Sequence, residues 1–591
     1  MGFSHDGLSF DIDEIPFSTR GSWMNLSRVV GLHTRAEHIH LVSHQTGMHA
    51  VLRLEPQRGG DGMDTRVVAS PAVLEWRAHS GSIRAAFDGP SAVRVTGDGL
   101  GMRFSAGDLL TPFTGGFLFT DPLDGGVVLT SYETGRRYRF TVLAGRAEVR
   151  GDGTVGQADR SVIFSDDEQW EVAIEEYETA RPPYRVAGSF AEVVRSAGEA
   201  FSGYARAIAP GAGDDVDAHA DVAAKAAYVL WSATVSPSGY VGREAILMSK
   251  HWMDKVWSWD HCFNALALAA SDPGAALDQF LLPFDHQDAS GALPDSVTHS
   301  EVLYNFVKPP IHGWAFRQLE QRASRAYTPE ELATVYRRLA AWTRFWLDFR
   351  RAPGHVLPYY QHGNDSGWDN ATTFDGARVI EAPDLAAFLL LQLNELALLA
   401  ERVGAPGDAW AAEAASIRSA LFDRLWTGED FVARGVENQG ASSASSLLNA
   451  LPIVLGETLD PEIADRLSSI IEGHLTEWGP ATEPVSSALY ESDGYWRGPI
   501  WAPSTVLIED GLRRAGHMEL ADRISAAFRR ACERSGFAEN FDAVTGEGLR
   551  DRAYTWTASA YLLLHADAMD RSHRPPATDP ADLRPTEGIS A

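Results

Sequence analysis

Cysteine is nearly missing from this chain: 591 residues hold only Cys262 and Cys532. Two thiols cannot build a disulfide framework or a thiolate metal cage. Basic charge is also scarce. Lys and Arg total 51 against 80 Asp and Glu, a formal net charge of −29, which argues against nucleic acid or an anionic membrane surface as partner. No apolar run is long enough for a membrane span, because Gln392, Asn394 and Glu395 interrupt the richest stretch, Leu385 to Leu399. The opening Met1-Gly2-Phe3-Ser4-His5-Asp6 shows no basic region followed by an apolar run, so no secretory signal is expected and the location is read as cytoplasmic. There is no phosphate loop, dinucleotide fingerprint, HExxH pair or nucleophile elbow, so no cofactor and no metal is called for. Asp285, Asp288 and Asp295 lack the spacing of an EF-hand loop and read as polar turns.

What remains is ordinary globular material, 45% hydrophobic and 22% charged, on a chain long enough for several domains. Residues 1–185 read as an antiparallel β-sandwich. Alternating runs such as 38–42, 66–69, 91–95 and 137–142 are separated by turn signals, among them Gly59-Gly60-Asp61-Gly62 and Gly151-Asp152-Gly153. Residues 186–217 read as a linker. From 218 the apolar period becomes 3.6, predicting helices over 218–235, 263–270, 329–349, 382–403, 408–425, 442–455, 461–474, 505–515, 518–535 and 555–568. About ten to twelve antiparallel helices with chemistry in their loops fit an (α/α)6 toroid over 218–572. The tail 573–591 is rich in Pro, Asp and Thr and is expected to be disordered.

Four loop segments carry sugar chemistry. Trp257-Ser258-Trp259-Asp260 puts a carboxylate beside two indoles, which suits a pyranose: a ring takes the apolar face and the acid accepts hydroxyl hydrogen bonds. Asn364-Asp365-Ser366-Gly367-Trp368-Asp369-Asn370 offers two acids, an indole and amides. Tyr495-Trp496-Arg497-Gly498-Pro499-Ile500-Trp501 is stiff and aromatic enough to wall a pocket. Glu539 lies between Phe537 and Phe541, a setting that tunes a carboxyl by desolvation. Each segment alone also reads as a capping loop or a packing turn. Together they point to glycoside hydrolysis by two carboxylates.

These segments, with Lys308-Pro309-Pro310-Ile311-His312-Gly313-Trp314, resemble the (α/α)6 enzymes of glycoside hydrolase family 63 and the trehalases of family 37 over roughly 220–570. The bacterial members, including mannosylglycerate and glucosylglycerate hydrolases, are the nearest in pattern. The resemblance implies an inverting, exo-acting α-glucosidase or α-mannosidase acting on a small α-linked glycoside. Asp369 would be the general acid, with Asp365 the competing candidate, and Glu539 the base. An inverting pair stands roughly 6.5–9.5 Å apart to admit a water. Asp260 would hold sugar hydroxyls, and Trp257, Trp259, Tyr495, Trp496 and Trp501 would line the pocket. Trp368, Asn370 and Arg497 are further substrate-binding candidates.

Lys308 departs from the glucosylglycerate-type pattern, which has Gln there. The sandwich is likewise foreign to the glycerate-specific members. Lys308 is therefore read as either solvated or meeting an anionic aglycone. A related α-L-rhamnosidase or glycoside phosphorylase, and a non-catalytic carbohydrate-binding protein, are the alternative readings; oligomeric state stays open.

Overall fold

The computed structural model describes residues 8–107, 116–156, 158–209, 218–437, 440–442 and 445–573. Two antiparallel sheets come first. In the first, strands 24–31, 34–43, 49–58, 101–106, 161–164 and 147–150 lie side by side in that order, with 61–62 pairing off 49–58. The second runs 116–120, 127–131, 137–144, 170–177, 92–98, 81–87, 74–78 and 66–69. Period-2 alternation explains the arrangement. Leu52 and Leu54 are buried while Arg53 and Glu55 between and beside them are less covered. Both sheets feed one apolar core, with Leu41, Leu54 and Phe104 from the first meeting Trp76, Val95 and Phe140 from the second.

Twelve α-helices follow among the described residues: α1 Phe190–Ile208, α2 Ala218–Ala233, α3 Asp260–Leu268, α4 Pro273–Leu281, α5 His312–Arg322, α6 Pro329–Phe349, α7 Pro383–Val403, α8 Asp408–Ala420, α9 Pro461–His474, α10 Ala502–Arg514, α11 Met518–Ser535 and α12 Thr555–His573. A 3-10 segment, Leu447–Thr458, stands between α8 and α9. The sequence signals are physical. Thr328 caps α6 in a reciprocal box with Glu331, and Pro329 takes the first helical position, so that helix begins where the pattern predicts. Contacts run in a closed circuit: α3 to α5, α5 to α7, α7 to the 447–458 segment, that segment to α10, α10 to α12, and α12 back to α3. α4, α6, α9 and α11 pack against members of this circuit.

Two expectations change. The segment 186–217 is not plain linker, since it contains α1. Ser189 and Glu192 form a capping box, and Phe190 and Val193 pack on Ala86 of the second sheet. Flanking Pro182, Pro183 and the Gly- and Asp-rich run after Ala209 hide a well-signalled helix. The predicted helix at 442–455 is instead the 3-10 segment from 447, with Pro452 inside it; residues 443–444 lie outside the described residues, as do 210–217 and 574–591 of the expected tail. α7 is the one helix among the described residues long and apolar enough to cross a membrane, and it is largely covered by protein.

A polar junction joins sheets to helices. The Lys250 ammonium is fully buried and donates to Ser18 Oγ (3.0 Å), Ser232 O (2.7 Å) and the Ser22 carbonyl. His44 Nδ1 meets Asp254 Oδ2 at 3.0 Å, and Asn25 donates to the Lys250 carbonyl at 2.6 Å. Burial pulls the Lys250 amine well below its usual range, against the pull of Glu176.

Candidate active site

Several of the predicted loops converge on one cavity of about 230 Å³. The short strand Val256–Trp257 pairs with Ser296–Val297, which brings Trp257 alongside the segment carrying Asp295. Trp259 ends that strand's loop and Asp260 opens α3. A carboxylate in a helix's first turn faces unpaired backbone N–H groups, which favours negative charge. Burial wins nonetheless: it raises Asp260 to about 7, Lys308 opposing, and one of its oxygens is buried without a partner.

The loop holding Asp369 is shaped by glycine. Gly367 takes φ +75°, and a Cβ there would stand 2.5 Å from the Trp259 ring, so backbone and indole can meet only without a side chain. Asp369 lines the cavity, and burial raises its carboxyl while Lys308 opposes the rise. Lys308 is not solvated. It is 6% exposed and lies on the cavity wall, 3.2 Å from Asp295 and donating to the Asn364 carbonyl at 3.0 Å. Burial pulls its ammonium down, but Asp295, Asp369 and Asp260 together lift it above its ordinary value.

Aromatic residues wall the rest. Tyr495 and Trp496 line the cavity with Trp257, Trp259, Tyr554 and Trp556. Trp496 is fixed from behind by a stack: Trp368 lies 4.7 Å away on one side and Trp501 4.0 Å away, nearly parallel, on the other. Glu539 is not itself part of the cavity wall. It is buried next to two wall residues: the Tyr495 phenol faces its carboxyl, and the Trp556 indole N–H donates to its carbonyl at 3.3 Å. Burial and then Asp551 raise Glu539 to about 8, with Arg550 and Tyr495 opposing, and one oxygen has no partner. Tyr495 is also within electrostatic reach of Asp369, so one phenol senses both acids.

A family model for the mannosylglycerate hydrolase MGH1-like glycoside hydrolase domain matches residues 253–557, more than half the chain. The chain belongs to that family. It is a glycoside hydrolase of family 63. Its relatives include a mannosylglycerate hydrolase of Rubrobacter radiotolerans, 25% identical over 52% of this chain and 89% of that one. A glucosylglycerate hydrolase of Mycolicibacterium hassiacum is 22% identical over 58% of this chain and 97% of its own length. Among solved structures, a family 63 mannosylglycerate hydrolase of Thermus thermophilus in complex with Tris aligns with a TM-score of 0.51 at 20% identity, covering 57% of this chain and 98% of that one. That likeness speaks for the fold of the helical part.

Five predicted substrate-binding residues of this glycoside hydrolase do not line the cavity, each for a visible reason. Asp365 accepts from Arg350 Nη1 (2.7 Å), Gln361 N (2.8 Å) and Val307 N (3.1 Å), which leaves it inside the fold as a brace. Asn370 clamps the aromatic loop, donating to Gly494 O and accepting from Trp496 N, both at 3.0 Å. Arg497 pairs with Asp375. Trp368 and Trp501 are the outer members of the stack. Conversely, Asp295, Asn305, Phe306, Tyr554 and Trp556 line the cavity although no sequence motif marks them for it. Asp295 reads from sequence as a polar turn; the signal that finds it is the buried lysine that needs a partner. Of its neighbours in that run, Asp285 pairs with Arg243, and Asp288 closes a turn by accepting from Ser290 and Ala292 backbone N–H groups.

Proposed function

We propose that this enzyme is an inverting, exo-acting hydrolase of a small α-linked glycoside, with Asp369 as general acid and Glu539 as general base. The observation that carries this reading is the Tyr495 phenol facing Glu539 while Asp369 lines the cavity on which Tyr495 also borders. Two acids raised by burial, both within electrostatic reach of one aromatic wall residue, supply a proton donor and a water-activating partner. Tyr495 supports Glu539 by hydrogen-bonding its charged form.

In this reading the cavity is the subsite of the sugar being released. Asp260 accepts from its hydroxyls with the oxygen that now has no partner, and Trp257 takes its apolar face. A volume near 230 Å³ suits one monosaccharide rather than a chain, which favours exo action. Lys308 is neutralised by Asp295 and sets the electrostatics of Asp369 and Asp260, instead of reading an anionic aglycone. The closed circuit of helices favours an (α/α)6 toroid, with the sandwich of residues up to about 185 as a separate domain. Mannosylglycerate and glucosylglycerate hydrolases among the relatives make α-mannosides and α-glucosides of small aglycones the substrates to try first.

The deciding experiment is proton NMR on such a panel, reading the anomer first released. Initial appearance of the β-anomer is expected. Initial release of the α-anomer would sink the inverting mechanism, and retention of near-wild-type turnover by Asp369→Ala or Glu539→Ala would sink the residue assignment.

A further inference from the structure

A second cavity, of about 290 Å³, lies where the sandwich meets the helical loops, lined by Asp13, Val29, His33, Arg35, His251, Trp252, Arg550 and Arg552. Its lining is rich in basic side chains. Three arginines and two histidines line it with one acid, Asp13. Arg550 is paired with Asp493 at 2.7 Å and Arg552 with Glu14 at 3.1 Å, and Arg35 is the arginine of the lining without a carboxylate partner among the described residues. In a chain of net charge −29, guanidinium groups gathered around a hollow, one of them without a carboxylate, suit an anion.

Several nitrogens of this lining have no protein partner. The Arg35 side chain has no ion-pair or hydrogen-bond partner among the described residues. Arg552 reaches Glu14 at 3.1 Å and the Gly548 carbonyl at 2.7 Å, yet its Nε is buried without a partner. His251 is 1% exposed; Asp551 Oδ1 holds its Nδ1 at 2.9 Å, and its Nε2 is buried with no partner. A buried polar atom left unpaired is disfavoured unless something completes it. With Nδ1–H donated to Asp551, Nε2 is the ring nitrogen left for an occupant of the cavity, and in the neutral ring it accepts from an O–H of a protonated oxyanion.

The backbone is unusual at the same place. Only three non-glycine residues among those described have left-handed φ: His33 (+51°), Tyr495 (+64°) and Arg550 (+62°). His33 and Arg550 line this cavity, and Tyr495 lines the sugar cavity. His33 takes its positive φ in the two-residue turn between strands 24–31 and 34–43, as tight hairpins do, while Arg550 and Tyr495 take theirs in loops. The His33 ring packs on Trp252 at 4.8 Å, so a turn of the sandwich closes one side. Arg550 stands 4.9 Å over the Tyr495 ring, so the two cavities share a wall.

We propose that this junction cavity binds a small oxyanion, a carboxylate or phosphate, through Arg35, Arg552 and His251. The anion is either the charged end of the substrate, reached past Tyr495, or a free anion from solution. The chemistry of recognition is the same in both cases.

The test is calorimetric titration of the full chain with inorganic phosphate at fixed ionic strength, with chloride as the control. Saturable binding at one site is expected, weakened about tenfold by Arg35→Ala and by Arg552→Gln, the loss of one charge-assisted hydrogen bond. Arg35 is exposed and its side chain is without partners among the described residues, so Arg35→Ala should fold normally and decides the matter if Arg552→Gln does not. Absence of saturable binding, or binding by Arg35→Ala equal to wild type, overturns the proposal. These readouts need no turnover, so they stand apart from the fate of the proposed reaction. Kinetics then separates the sources. If Arg35→Ala raises KM for glycosides with an anionic aglycone and leaves neutral ones unchanged, the substrate supplies the anion. If phosphate instead alters kcat on neutral glycosides without competing, a free anion does.

Discussion

Asp365 and Asp369 share one short loop but have opposite surroundings: Arg350 and two backbone N–H groups saturate the first, while the second lines the sugar cavity. Their replacements should therefore fail differently. Asp365→Ala strands the buried Arg350 guanidinium and should lose about 3–5 kcal/mol of stability, read as a fall in denaturant midpoint. Asp369→Ala should keep its midpoint and lose roughly a thousandfold or more in kcat, in line with losing a positioned acid. A stable Asp365→Ala protein would contradict the bracing role.

Glu539 makes a pH prediction of definite sign. Its folded value is about 8, above the ordinary carboxyl range, chiefly through burial. A base works only when ionised, so kcat/KM should climb with pH through a limb near 8. A limb in the ordinary carboxyl range, about 4 to 5, would show that another group is the base.

The same shift acts on stability. The folded state binds the Glu539 proton more tightly than the unfolded chain does, so its contribution is full at acid pH and is lost as pH rises toward and through about 8. Glu539→Gln cannot ionise. Its melting temperature should exceed that of the wild type at about pH 9, with the gap closing by about pH 5.

Arg550 should be a positioning residue for that base. Its guanidinium opposes the rise in Glu539, and it is held by Asn540 Oδ1 at 3.0 Å and Asp493 at 2.7 Å. Arg550→Ala should move the acidic limb of kcat/KM to higher pH, and Arg550→Lys should bring part of it back. An unmoved limb with merely reduced kcat would point to a structural role.

The tryptophans divide in the same manner as the two aspartates. Trp501 is 1% exposed and stacked on Trp496, so Trp501→Ala should cost about 3–5 kcal/mol. Trp257 is only partly buried on the cavity wall; Trp257→Ala should raise KM several-fold with little change in melting temperature.

Much of this was legible in the sequence because the signals are local. Capping boxes, Pro at the first helical turn and period-2 alternation need only neighbouring residues, so α6, α9 and α11 begin and end where the pattern places them. The loops that meet at the cavity were legible as residue types suited to sugars. Which members would face the cavity was not. Asp365, Asn370 and Arg497 look like ligand residues because polar groups in Gly-rich loops do; their partners Arg350, Gly494 and Asp375 lie elsewhere in the chain, and only folding brings them near. Asp295 was obscure for the converse reason, since its meaning depends on Lys308. The helix α1 is hard to read from sequence because proline and glycine on both sides mask its cap.

Lys250 bears on how separable the two halves of the chain are. Its ammonium has acceptors on both sides of the junction, Ser18 and Ser22 from the sheet-bearing half and Ser232 from the helical half. Cutting away the sheets to imitate the shorter relatives would strip this amine of two of its acceptors and uncover the surface that now encloses it. The sandwich is thus not a passenger that a truncation could discard without cost: an engineered core would leave Lys250 in need of new acceptors.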